Sequence, residues 1–88
     1  MYTSELTLVD NIGRDTRIFL TIHPECISDN IVIVYLNIEG NKRVCYMKKT
    51  HSKYYYSFEN LTSITSGFEA KEAEKLLDAM IKLYNEGR

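Results

Sequence analysis

Helical periodicity occurs once in this 88-residue chain, near its end, and almost everything before it is written in short runs of alternating residues. A succession of strands followed by one helix has few ways to bury itself: the strands form a sheet and the helix lies across one face of it. The fold expected is therefore α+β, an antiparallel β-meander of four to five strands packed against one C-terminal α-helix. Folding at this size buries only about 60% of the surface that the unfolded chain exposes, which supports one core. Residues 1–88 are accordingly expected to form a single domain.

The first strand expected, Tyr2 to Val9, alternates Leu6 and Leu8 with Glu5 and Thr7, and Asp10-Asn11-Ile12-Gly13 follows as turn chemistry. A second, Thr16 to His23, sets Ile18, Leu20 and Ile22 against Arg17, Phe19 and Thr21, and ends where Pro24 lacks a ladder donor. Pro24 to Asn30 reads as a connection. Ile31 to Ile38 is apolar on both sides, which suits the middle of the sheet. Gly40-Asn41 then reads as a two-residue hairpin loop that pairs Glu39 with Lys42. In that register Tyr35 faces Tyr46 and Asn37 faces Val44 on one side, while Leu36 faces Cys45 and Val34 faces Met47 on the other. The second set is the more apolar and is expected to be the core.

After a polar connection from Lys48 to Lys53, Tyr54 to Phe58 reads as a further strand, with Tyr54, Tyr56 and Phe58 on one side and Tyr55 and Ser57 on the other. Ser66 followed by Glu69 has the spacing of a capping box. The helix it opens carries Ala73, Leu76, Leu77, Met80 and Tyr84 on one stripe, widened by Ile81, with Glu72, Lys75, Asp78, Lys82 and Glu86 around the remainder. That stripe is expected to pack on the Val34, Leu36, Cys45 and Met47 face.

Catalysis would require a nucleophile or an acid–base group with an orienting partner. The sequence contains no glycine-rich phosphate loop, HExxH or GxSxG pattern. His23-x-x-Cys26 together with Cys45 and His51 could be drawn as a zinc set, but structural zinc usually takes two tight pairs, and Cys45 lies within a strand. The reading adopted is a core cysteine, a loop cysteine and two surface histidines, with both thiols reduced. The chain is thus expected to be non-enzymatic, with no cofactor and no metal. It shows neither an export signal at its start nor an apolar run long enough to span a bilayer, so a cytoplasmic protein without membrane contact is expected.

What rises above background concerns binding. Net charge is −1, yet Lys42, Arg43, Lys48, Lys49 and Lys53 place +5 between Gly40 and Phe58 with no acid among them, leaving −6 elsewhere. Seven tyrosines are present, and tyrosine supplies large contact area with a polar tip at low entropic cost. The leading expectation is a small protein-binding module acting through Tyr35, Tyr46, Tyr55, Lys42, Arg43, Lys48, Lys49 and Lys53. Its partner would be a larger protein or complex, or a second copy in a homodimer. Small Ile-, Asn-, Lys- and Tyr-rich chains without catalytic motifs fit the class of phage or mobile-element inhibitors and regulators of host complexes. The alternative is a nucleic-acid binder in which the same lysines neutralise phosphates and Tyr55 stacks on bases. A pI of about 6.1 argues against that alternative.

Overall fold

The computed structural model describes residues 2–23, 31–49, 56–59 and 61–86. Strands β1 (Tyr2–Val9), β2 (Asp15–Ile22), β3 (Ile31–Ile38), β4 (Asn41–Lys49) and β5 (Tyr56–Glu59) make one antiparallel sheet in chain order. A short helix α1 (Leu61–Thr65) and a long helix α2 (Ala70–Glu86) follow. The meander and the C-terminal helix are those expected, and α1 is an addition. Tyr54 and Tyr55, placed by the sequence in the last strand, lie outside the described residues.

The β3–β4 hairpin turns two residues' worth of register away from the expected pairing. Its loop is Glu39-Gly40, with φ of 50° and 89°, so Ile38 pairs with Asn41, Tyr35 with Val44, Val34 with Cys45 and Ile33 with Tyr46. Tyr35 and Tyr46 therefore share a face without facing each other. A left-handed Glu39 is unfavourable by itself. The surroundings offset it: Glu39 N–H donates to the Arg17 carbonyl at 3.3 Å, its carboxylate pairs with Arg14, and Gly40 N–H donates to Asn37 Oδ1 at 2.7 Å. Because the slip is an even number of residues, no side chain changes face. Val34, Leu36, Cys45 and Met47 are all buried on the helix side, as expected.

At the same end of the sheet, Asp10 Oδ1 accepts from Ile12 N–H at 3.1 Å and from Arg14 N–H at 2.8 Å, closing the β1–β2 turn. That turn is tied to the α1–α2 connection by a bridge between Asp10 and Phe68 and by Asn11 N–H donating to the Gly67 carbonyl at 2.9 Å. The tie starts α2 beside β1, and the helix accordingly lies nearest β1 and then β2. It also displaces the expected capping box. Ser66 Oγ donates back to the Ser63 carbonyl at 3.1 Å, and α2 opens at Glu69, whose carbonyl accepts from Glu72 and Ala73 N–H, each at 3.0 Å.

The core joins Leu8, Ile18, Leu20, Ile22, Val32, Val34, Leu36, Cys45 and Met47 of the sheet to Ile64 of α1 and Leu76, Met80, Leu83 and Tyr84 of α2. The helix is turned relative to the expected stripe. Leu83 and Glu72 are buried, while Leu77 and Ile81 are only half-buried. Glu72, assigned to solvent by its charge, instead closes the edge of the sheet: its carboxylate accepts from Val9 N–H at 3.4 Å and from Lys75 Nζ at 3.1 Å. Among the described residues, no helix is long and apolar enough to cross a membrane.

Candidate functional site: the open sheet face

A sheet with helices on one side leaves its other face to solvent unless something else covers it. Alternation along the four longer strands sends Glu5, Arg17, Phe19, Thr21, Ile33, Tyr35, Asn37, Lys42, Val44, Tyr46 and Lys48 to that second face. Phe19 is 46% exposed, Tyr35 43% and Val44 36%. Those values are high for large apolar side chains at the centre of a sheet. They line a shallow groove of about 520 Å³ with Thr21, Asn37 and Lys42.

The strand register orders this face into rows. One row runs Glu5, Phe19, Asn37, Lys42 and the next Thr3, Thr21, Tyr35, Val44, so Phe19 and Tyr35 sit diagonally at the centre. Charge lies at the margins. Arg17 Nε donates to Glu5 Oε1 at 2.9 Å, its Nη2 contacts the same oxygen, and its guanidinium carbon stands 5.6 Å from the Phe19 ring centre. The Arg17 charge is thus already partnered, and its plane covers one side of Phe19. His23 meets Tyr35 edge-to-face with ring centres 5.8 Å apart. Lys42 and Lys48 are exposed on β4.

Of the residues singled out from sequence, Tyr35, Tyr46, Lys42 and Lys48 come together on the open face. Arg43 does not, because it pairs with Leu36 on the helix side, where it is exposed at the sheet corner. Lys49 ends β4, and Lys53 and Tyr55 lie outside the described residues. Phe19 is the residue the sequence reading undervalued: treated as a side chain that could cover the tyrosines, it is itself the most exposed aromatic of the patch. The signal was present in β2, where Phe19 alternates with Ile18 and Leu20 and so cannot share their core. Tyr2, the other aromatic considered as a cover, stands in phase with Leu6 and Leu8 toward the helix side.

The metal and nucleophile readings separate in space. Cys45 is fully buried on the helix side and His23 is exposed beside Tyr35 on the opposite face, while Cys26 and His51 lie outside the described residues. Burial pushes the Cys45 thiol up to about 11, which leaves it a protonated, small hydrophobe. Among the described residues, no three His, Cys, Asp or Glu side chains are placed to hold a metal ion. Neither a protein family, nor a curated protein, nor a solved structure matches this chain.

Proposed function

We propose that this protein is a non-enzymatic protein-binding module whose open sheet face is the recognition surface. The observation that supports the reading is the exposure of Phe19, Tyr35 and Val44 at the middle of a sheet face on which, among the described residues, no helix packs. Leaving the exposed part of such side chains in water forgoes about 0.5 to 1.4 kcal/mol apiece, which a partner recovers by covering them. An apolar aromatic centre with charges at its rim is the anatomy of a protein interface. A small inhibitor or regulator of a larger complex, of the phage or mobile-element kind, is one role such a module would fill.

A second reading, single-stranded nucleic acid, is favoured by one observation: Lys42 and Lys48 share the face with Tyr35 and Tyr46. It ranks lower because Arg17 is engaged by Glu5 and the chain carries a net charge of −1. One experiment separates the two. The double variant Phe19→Ser/Tyr35→Ser, folded by circular dichroism, should lose a protein partner that the unaltered chain captures in the presence of nuclease. Capture that survives the double substitution refutes the assignment of the face, and capture that disappears with nuclease promotes the nucleic-acid reading.

A further inference from the structure

The open face is not only apolar at its centre; its charges are arranged so that the face complements itself. We infer that the protein occupying it is a second copy of this chain, related by a two-fold axis that runs parallel to the strands between β2 and β3. This rests on the reading of the face as a protein-binding surface and names the partner.

The argument is one of register. A two-fold axis parallel to the strands keeps every residue at its own level along the strand while exchanging left and right. It therefore lays β1 of one copy over β4 of the other, and β2 over β3. Glu5 and Lys42 end the same row on opposite sides of the sheet, so each Glu5 meets the partner copy's Lys42, twice over. Both Arg17 contacts fall on Glu5 Oε1, which leaves Oε2 to accept from that lysine. In the two central rows, Phe19 and Tyr35 of each copy close into one cluster of four rings with Thr21 and Asn37 around it. Sheets packed this way lie about 10 Å apart with strands within about 30° of one another, a separation that side chains of this size fill.

The competing two-fold axis, perpendicular to the strands, fails the same test. It sets β4 upon β4 and β1 upon β1, so Glu5 of one copy never reaches Lys42 of the other. Size sets the strength. Four strands about 4.8 Å apart and some five residues long give a face roughly 15 to 20 Å on each side, about 225 to 400 Å² per copy. That is below the ~600 Å² per partner of standard interfaces, so the dimer expected is a weak one.

The test is sedimentation velocity on the full chain at concentrations from about 1 to 200 µM, a range that brackets the affinity of an interface this small. The unaltered protein should dimerise. Glu5→Lys alone and Lys42→Glu alone should each weaken dimerisation at least about tenfold, since each replaces two attractive pairs by two repulsive ones. An equimolar mixture of the two variants should associate again, because every opposed pair in the mixed dimer is then of opposite sign. A chain that stays monomeric, or a dimer indifferent to both substitutions, or a mixture that fails to recover, overturns the inference. A monomer that still captures another protein through Phe19 and Tyr35 overturns the second copy while sparing the binding reading. A monomer whose face instead takes up an oligothymidine overturns both in favour of nucleic acid.

Discussion

Leu76 and Leu77 are neighbours on α2, both apolar and both on the stripe that the sequence suggests, yet the fold treats them differently. Leu76 is fully buried among the sheet side chains, whereas Leu77 is half-buried at the flank. Truncating Leu76 to alanine removes three carbons from a dry site, about 2.4 kcal/mol of transfer free energy, and the residual cavity raises the cost to about 3 to 4 kcal/mol. The same truncation at Leu77 should cost about 1 kcal/mol. A chain of 88 residues has a total stability of roughly 4 to 13 kcal/mol, so the first variant approaches the threshold of folding and the second does not. With an unfolding entropy of ~2.1 cal/mol/K per residue, the expected fall in Tm is about 16 to 22 °C for Leu76→Ala and about 5 °C for Leu77→Ala. Urea and thermal melts followed by circular dichroism at 222 nm read both quantities, with an unchanged urea slope showing that the denatured state is comparable. Equal losses, or a larger loss at Leu77, would refute the orientation of the helix on the sheet.

Two further outcomes follow from buried polar chemistry. The Lys75 ammonium, and secondarily the Val9 N–H, hold the Glu72 carboxyl below its ordinary value of 4.5, against the opposing effect of burial. A depressed carboxylate contributes stability above its unfolded value and loses it as pH falls through the folded one, so the stability advantage over Glu72→Gln should be full at pH 7 and shrink between about pH 5 and pH 3; an advantage constant across that range contradicts the assignment. Cys45, fully buried and with its thiol pushed up to about 11, should resist a thiol reagent at pH 8 in the folded Cys26→Ala variant and react fully in urea. Rapid labelling of the folded protein would place Cys45 outside the core.

The sequence was most legible where period and parity carry the information. Strand β1 falls at Tyr2–Val9 as alternation indicates and β3 at Ile31–Ile38 as its two-sided apolar run indicates, and the buried face of Val34, Leu36, Cys45 and Met47 survives even a two-residue error in the hairpin register. The open face was legible in the same sense, since Tyr35, Tyr46 and Lys42 fall on one parity. It was less legible which residues stand at its centre. Whether Tyr35 faces Tyr46 or Val44 depends on the loop, and both Glu39-Gly40 and Gly40-Asn41 contain the glycine that a tight hairpin needs. The choice rests on bonds to Arg17 in β2 and to Arg14 in the β1–β2 turn.

Residue order alone thus determined the antiparallel meander, the C-terminal helix and the parity of the strand side chains, because these follow from local periodicity and one closed core. The tertiary structure alone decided the hairpin register, the rotation of α2 that buries Glu72 and Leu83, the seat of that helix over β1, and the row that sets Glu5, Phe19, Asn37 and Lys42 across one level of the sheet. Those depend on hydrogen bonds and ion pairs between segments far apart in the chain, such as Asn11 with Gly67, Val9 with Glu72 and Glu39 with Arg14. A glutamate is solvated or buried, and a phenylalanine covered or exposed, according to what long-range packing brings beside it, and no local pattern encodes that.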